Sequence, residues 1–305
     1  LRPFRMGPVD WPEGGPSPVP VVLALGAVLL LALVLVERAR SAAGRPVMLD
    51  PALFRIAGFR RGNLAAALVS VGELGLLFVL PLFLVGVHGN SPWQISVAIL
   101  PLAVGAFLAG PFAGRLADRR GAHRVVQIGL LLEVLAVLAV GLTLTSGTGG
   151  LGLAPWMLVY GVGLGLASAQ LTSVSLADVP PAHAGQASGT QSTSRQVGAA
   201  LGIALVGAVF ATGLGREMTA RLEDAGVPAE RRAAVVHELR ESAGTYARDL
   251  HADPGTAVEA RAADAALATA ARQATLVTAG LLAVGLLMST RLRPGAAPHR
   301  EESGS

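Results

Sequence analysis

The chain is predicted to be an all-α membrane protein with seven transmembrane helices, six of them forming one bundle. Three observations carry this. Its 305 residues are 52% hydrophobic and only 14% charged, where a soluble domain carries about a quarter. The charges are bunched between apolar runs of about 20 residues, the length that crosses ~30 Å of hydrocarbon. One short stretch, Gly114 to Arg124, sets four arginines and an aspartate between the runs 95–113 and 125–145, whose only ionisable side chain is Glu133. Such a stretch cannot lie in hydrocarbon, where each charge costs roughly 2.5–3.5 kcal/mol or more. It marks a membrane surface, and its arginines make that surface cytoplasmic.

In chain order, residues 1–18 are rich in proline and glycine and read as an extracytoplasmic segment. The apolar run 19–36 is a linker transmembrane helix. A cytoplasmic connection at 37–63 holds Arg38, Arg40, Arg45, Arg55, Arg60 and Arg61. The bundle covers 64–290, with spans expected at 64–86, 95–114, 125–146, 154–176, 195–214 and 274–290. Arg115, Arg119, Arg120, Arg124 and Arg195 fall on the side of the first connection, as do Arg291, Arg293 and Arg300 in a polar tail at 291–305. The opposite loops, 87–94 and 147–153, have no arginine, and residues 1–18 have two, Arg2 and Arg5. This asymmetry places the N-terminus outside and the C-terminus in the cytoplasm of a cell membrane.

Residues 215–273 form a long extracytoplasmic loop with eight arginines but ten carboxylates and many alanines. Long loops translocate largely regardless of charge, so its arginines leave the topology intact. Its pattern suggests short solvated helices at 219–224, 230–247 and after the break at Asp253-Pro254-Gly255.

The sequence pI near 10.8 comes entirely from arginine, as there is no lysine. These arginines flank apolar helices and serve orientation, so no nucleic-acid partner is expected. Cysteine is absent, which excludes disulfide and thiol chemistry. Without lysine there is no Walker-type phosphate loop, and ATP does not drive this chain. No His-Glu-x-x-His occurs, and Gly185-Gln-Ala-Ser188-Gly lacks the spacing of a nucleophile elbow. No enzyme, cofactor or metal site is expected.

The stretch Gly114-Arg-Leu116-Ala117-Asp118-Arg119-Arg-Gly121-Ala-His123-Arg124 resembles the signature cytoplasmic loop of major facilitator superfamily transporters, with His123 standing where that pattern has a basic residue. Gly114 would let two helices approach closely. Gly121 permits a turn with positive φ. Asp118 can accept from orphan N–H groups at a nearby helix N-terminus. The resemblance makes Gly114, Asp118, Arg119, Gly121 and Arg124 a conformational switch that locks one state of an alternating-access cycle. The runs Gly89-Asn-Ser-Pro92-Trp-Gln, Leu100-Pro101-Leu and Gly110-Pro111-Phe, with Arg195-Gln196-Val-Gly198-Ala-Ala-Leu-Gly202, resemble the second half of the fourteen-helix drug:proton antiporter branch. What the resemblance implies is a proton-coupled exporter of small amphipathic or cationic compounds, of which this chain is a truncated C-terminal half. Its partners would be membrane lipid, the small-molecule substrate, protons and a missing N-terminal half.

Two carboxylates carry the mechanistic expectation. Glu73 lies about ten residues into its span and Glu133 about nine, which at ~1.5 Å per residue puts both near the midplane. Neither has a basic residue within two turns of its own helix, and an intramembrane ionisable group is a functional candidate by default. Both are proton or cation sites in this reading, with Glu73 favoured because Gly72 and Gly75 leave space beside it. Asp178 and Arg195 end adjacent helices and are candidates for a gate pair. Gly161, Gly163 and Gly165, with Gly198 and Gly202, read as close-packing surfaces. His88, His123 and His183 fall in surface loops, and Gln170, Thr172 and Ser173 could line a polar cavity. A seven-helix receptor or a non-transporting membrane scaffold is the alternative, and both lack an explanation for the charged hairpin.

Overall fold

The computed structural model describes residues 19–45, 47 and 50–290. Both termini, 1–18 and 291–305, lie outside that range, and with them Arg2, Arg5, Arg291, Arg293 and Arg300. Seven helices are long and apolar enough to cross a membrane. The chain divides into two compact units at Arg55.

The first unit contains α1 (Val19–Ala42), whose leucines and valines run round the whole circumference, as a lipid-embedded helix requires. It ends in a short 3-10 turn, Pro51–Arg55, where the Asp50 carboxylate accepts from the Ala52 N–H at 2.8 Å.

The second unit is a bundle of six long helices: α2 (Ala57–His88), α3 (Pro92–Arg120), α4 (Ala122–Thr143), α5 (Gly150–Leu176), α6 (Ala184–Asp224) and α9 (Ala257–Ser289). Two short helices, α7 (Ala229–Glu241) and α8 (Ala247–Ala252), cap one end. The helices start and stop where local chemistry dictates. Gly89 closes α2 at φ 61°, a left-handed conformation that costs glycine little. Ser91 opens α3 with a capping box: its Oγ accepts from the Gln94 N–H while the Gln94 Oε1 accepts from the Ser91 N–H, satisfying two otherwise orphaned donors.

Five elements overrun the expected limits by six residues or more. The spans expected at 19–36, 64–86, 95–114, 195–214 and 274–290 become 19–42, 57–88, 92–120, 184–224 and 257–289. Hydropathy cuts a span where charges begin, whereas arginine, glutamate and alanine are good helix formers and carry the same helix on into water. At 1.5 Å per residue the 41 residues of α6 reach about 60 Å, twice the hydrocarbon thickness.

Bundle packing rests on backbone contact at small residues. A Cβ on Gly161 or Gly165 of α5 would strike Leu102 or Ala106 of α3, and one on Gly163 would strike Gly129 and Glu133 of α4. A Cβ on Gly198 or Gly202 of α6 would strike the carbonyls of Ala67 and Val71 in α2. In both the α3–α5 and α2–α6 seams the partners advance together along the chain, so those helices run parallel. α3 and α4 run antiparallel, and α5 packs against each of them more extensively than they pack on one another.

The segment 215–273 is not a solvated loop. Its first expected helix is the end of α6, its second stops at Glu241, and its third is the start of α9. Leu214, Met218 and Leu222 of α6 and Val235 and Leu239 of α7 are buried in the same apolar cluster as Leu76, Leu80 and Phe83 of the transmembrane core. The cap is therefore a continuation of the bundle. Burial of leucines spaced four apart holds it there.

Candidate functional site

The charged stretch is a helix end, a one-residue turn and a helix start. Gly114 to Arg120 are the last two turns of α3, and Gly121 alone joins α3 to α4. Its φ of 84° is the positive value expected, and its N–H donates to the Ala117 carbonyl at 2.8 Å. Asp118, Arg119, Arg120 and Arg124 are exposed. Two details differ from expectation. Gly114 is exposed, with open space beside its Cα and no second helix near it. Asp118 sits at the C-terminal end of α3 and not beside a helix N-terminus, and among the described residues it has no hydrogen-bond or ion-pair partner. Arg115 lies over the Phe112 ring at 5.9 Å, a cation–π contact one turn apart on α3.

The two glutamates occupy helix midpoints. Glu73 is midway between Ala57 and His88, and Glu133 midway between Ala122 and Thr143. Glu133 is fully buried, and neither of its oxygens has a hydrogen-bond partner among the described residues. Tyr160 on α5 is also fully buried, with its hydroxyl unpartnered. Each such group forfeits roughly 1–3 kcal/mol of lost hydrogen bonding, so both are places where a proton, water or ligand has something to satisfy. Glu133 folds over Gly163, where any side chain would collide with its Cγ and backbone N.

Glu73 has a cation that its own helix could not supply. Arg195 of α6 brings Nη2 within 3.6 Å of Glu73 Oε2, with the two side chains 32% and 15% exposed. That separation is an ion pair without a good hydrogen bond. Glu133 lies within electrostatic range of both Glu73 and Arg195, but only Glu73 is in contact with the guanidinium. This corrects the expected gate: Arg195 pairs with Glu73, while Asp178 is exposed and sits against Gly58. The reason for favouring Glu73 also fails, because the space beside Gly72 is filled by Leu282 and that beside Gly75 by Val206 and Thr278.

Sequence reasoning missed a second polar link in the α2–α6 seam. Ser194 Oγ donates to Asn63 Oδ1 at 3.1 Å, and Asn63 Nδ2 donates to the Phe59 carbonyl at 2.9 Å. Asn63 stands beside three charged or glycine residues, Arg60, Arg61 and Gly62, and nothing in the sequence marks it as buried. His88 closes α2 with its Nε2 2.9 Å from the Thr148 carbonyl. Gln170 and Thr172 are half-buried and Ser173 is exposed.

Comparison with known proteins agrees with this architecture. The family model described as Major Facilitator Superfamily matches residues 18–203, from α1 into α6. The chain is 31% identical over 219 residues to the probable actinorhodin transporter of Streptomyces coelicolor, covering 70% of this chain and 37% of that one. It is 29% identical to the tetracenomycin C resistance and export protein of Streptomyces glaucescens, over 66% of this chain and 37% of the relative. It is 29% identical to a multidrug resistance protein B homolog of Mycobacterium tuberculosis, over 52% and 30%. The chain thus spans between 30% and 37% of the length of these relatives. A bundle of apolar helices with glycine seams, a charged Gly121 turn and a family match over more than half its length leave one assignment: this chain is a multi-pass membrane protein and belongs to the Major Facilitator Superfamily.

Proposed function

We propose that the chain is one half, the C-terminal one, of a fourteen-helix proton-coupled exporter of small amphipathic or cationic compounds. The observation that carries this is the pair of mid-helix glutamates, Glu73 and Glu133, with Arg195 from the first third of α6 brought against Glu73. Two carboxylates and one arginine leave one negative charge to be met. A proton or a cationic substrate can meet it, and the arrival of one displaces the other, which is the requirement of exchange. Carrier sites of this kind lie near the midplane between two halves, and the relatives' names as drug and antibiotic exporters support the substrate class.

In this reading the protein lies in the cell membrane with residues 1–18 outside, the tail in the cytoplasm, and the Gly121 turn on the cytoplasmic face. The partner half covers the open face of the bundle, and the exposed, unpartnered Asp118 with Arg119 and Arg124 meets that half in one state of the cycle. A receptor or scaffold role has no support in the transporter family to which the chain belongs.

The test is substrate-induced proton release from purified full-length protein, read with a lipophilic cation as substrate. Glu73→Gln and Glu133→Gln each mimic the protonated form, and the coupling residue's variant should lose release while binding of neutral substrates persists. If both variants release protons as the wild type does, neither glutamate couples and both are structural. The 305-residue chain alone, in liposomes with an imposed pH gradient, should move no cation.

A further inference from the structure

Away from these glutamates, the cap contains a half-exposed titratable pair placed by geometry. α8 is a six-residue helix between the left-handed residues Ala243 and Gly244 (φ 50° and 93°) and the turn at Asp253–Thr256. Leu250 and Ala247 face the core, and Thr256 Oγ1 donates to the Leu250 carbonyl at 2.7 Å. On its polar side, His251 Nδ1 lies 2.7 Å from the Ala247 carbonyl and Nε2 lies 3.1 Å from Asp264 Oδ2 of α9.

The hydrogen count follows from these partners. A carbonyl oxygen only accepts, so Nδ1 carries a hydrogen. An ionised carboxylate also only accepts, so the Nε2–Oδ2 contact needs a second hydrogen between them. A neutral imidazole beside an ionised Asp264 has only one for two acceptors. The observed geometry therefore holds one extra proton. Asp264 Oδ1 is buried with no hydrogen-bond partner, so the carboxylate has little other satisfaction. A cavity of about 310 Å³ lined by Gly86, Val87, His88, Gly89, Arg248 and His251 opens beside the pair, and His251 is 46% exposed. The proton can exchange with bulk water.

We propose that His251 and Asp264 form a proton-operated latch that clamps α8 onto α9 and releases it as pH rises. The charged and titratable groups around His251 are Asp264 from α9, His88 at the end of α2, Arg248 and Asp249 on α8, and Asp253, whose Oδ1 already accepts from the Gly255 N–H. The Ala247 carbonyl is the main reason that His251 holds its proton above the ordinary imidazole range, with Asp264 adding to it and partial burial opposing. A value raised on folding contributes stability that is complete below the unfolded value of about 6.5 and is lost as pH climbs through the folded value. Where the cap is extracytoplasmic, as the topology proposed above has it, the latch reads the outer pH. The latch itself does not require that topology.

The test is amide hydrogen exchange of segment 244–256 in the whole chain, in detergent, with each rate divided by its intrinsic value at that pH. Between about pH 5.5 and 8.5, protection should fall about fivefold or more in the wild type and stay flat in His251→Gln. Asp264→Asn should weaken the response, since the Ala247 carbonyl remains, while His88→Gln should keep the wild-type profile. A pH-independent wild type overturns the latch, as does His251→Gln retaining the full pH response. If either variant is too unstable to measure, NMR titration of the His251 ring in the wild type decides: a midpoint at or below about 6.5 overturns the proposal.

Discussion

The transmembrane half of the bundle and its cap treat charge in opposite ways. Inside the helix bundle, α2, α4 and α6 contribute Glu73, Glu133 and Arg195, and Glu133 has no hydrogen-bond partner among the described residues. In the cap, Arg221 meets Glu217 at 3.5 Å, Arg231 meets Glu259 at 3.4 Å and Arg232 meets Glu223 at 3.9 Å. The cap pairs are numerous, partly exposed and screened by water, so each contributes little. The midplane charges are few, poorly solvated and left incompletely satisfied, so each is expensive to keep. The difference teaches where to look for function: a surface tolerates charges for nothing in particular, and a membrane interior does not.

Three measurements break or sharpen this contrast, from the largest expected effect downward. Packing comes first. Gly202→Leu drives a side chain into the Val71 carbonyl, and Gly161→Leu does the same at Leu102. Each should cost about 3 kcal/mol or prevent assembly of the bundle. By contrast a Cβ on Gly280 meets nothing, so Gly280→Ala should be neutral or stabilise by up to about 1 kcal/mol. Thermal unfolding in detergent reads both signs, and equal tolerance of the three substitutions would remove the seams from the account.

The midplane ion pair comes next. Arg195→Ala leaves Glu73 without its guanidinium in a poorly solvated site and should destabilise by about 1–2 kcal/mol, discounted for the partial exposure of both groups. In a double-mutant cycle, Glu73→Gln should recover part of that loss. Additive effects would mean that the 3.6 Å pair contributes no coupling.

The smallest effect is expected in the cap. Arg221 and Glu217 are an i,i+4 pair with side chains 38% and 31% exposed. Arg221→Ala should change stability by less than about 0.5 kcal/mol. A cost near that of Arg195→Ala would erase the distinction between the two regions.

Much of the fold was legible because it depends on chain-local physics. Seven apolar runs give seven spanning helices, and Gly121 between two charged ends gives the positive-φ turn. The misreadings share a cause. Arg195 was paired with Asp178, its neighbour across a short connection, whereas its partner Glu73 is far away in the chain and adjacent only because α6 lies parallel to α2. Gly72 and Gly75 were read as open space because a sequence shows that a side chain is missing but not that Leu282 or Val206 fills the gap. The cap's burial did leave a trace: Leu214, Met218 and Leu222 repeat every four residues beyond the expected end of α6. The charge around that stripe is what makes the segment look solvated in sequence.

By itself the sequence determined the class, the number of spans, the Gly121 turn and the presence of two glutamates midway along apolar helices. Each follows from the cost of taking a charged or unpaired polar group out of water, and that cost is paid residue by residue along one helix. Only the tertiary structure decided which helices share a seam, that Arg195 answers to Glu73, and that the 215–273 segment closes over the core. Those facts depend on contacts between residues more than a hundred positions apart, and the packing of glycine against a neighbouring backbone, not the hydropathy of either helix, selects them.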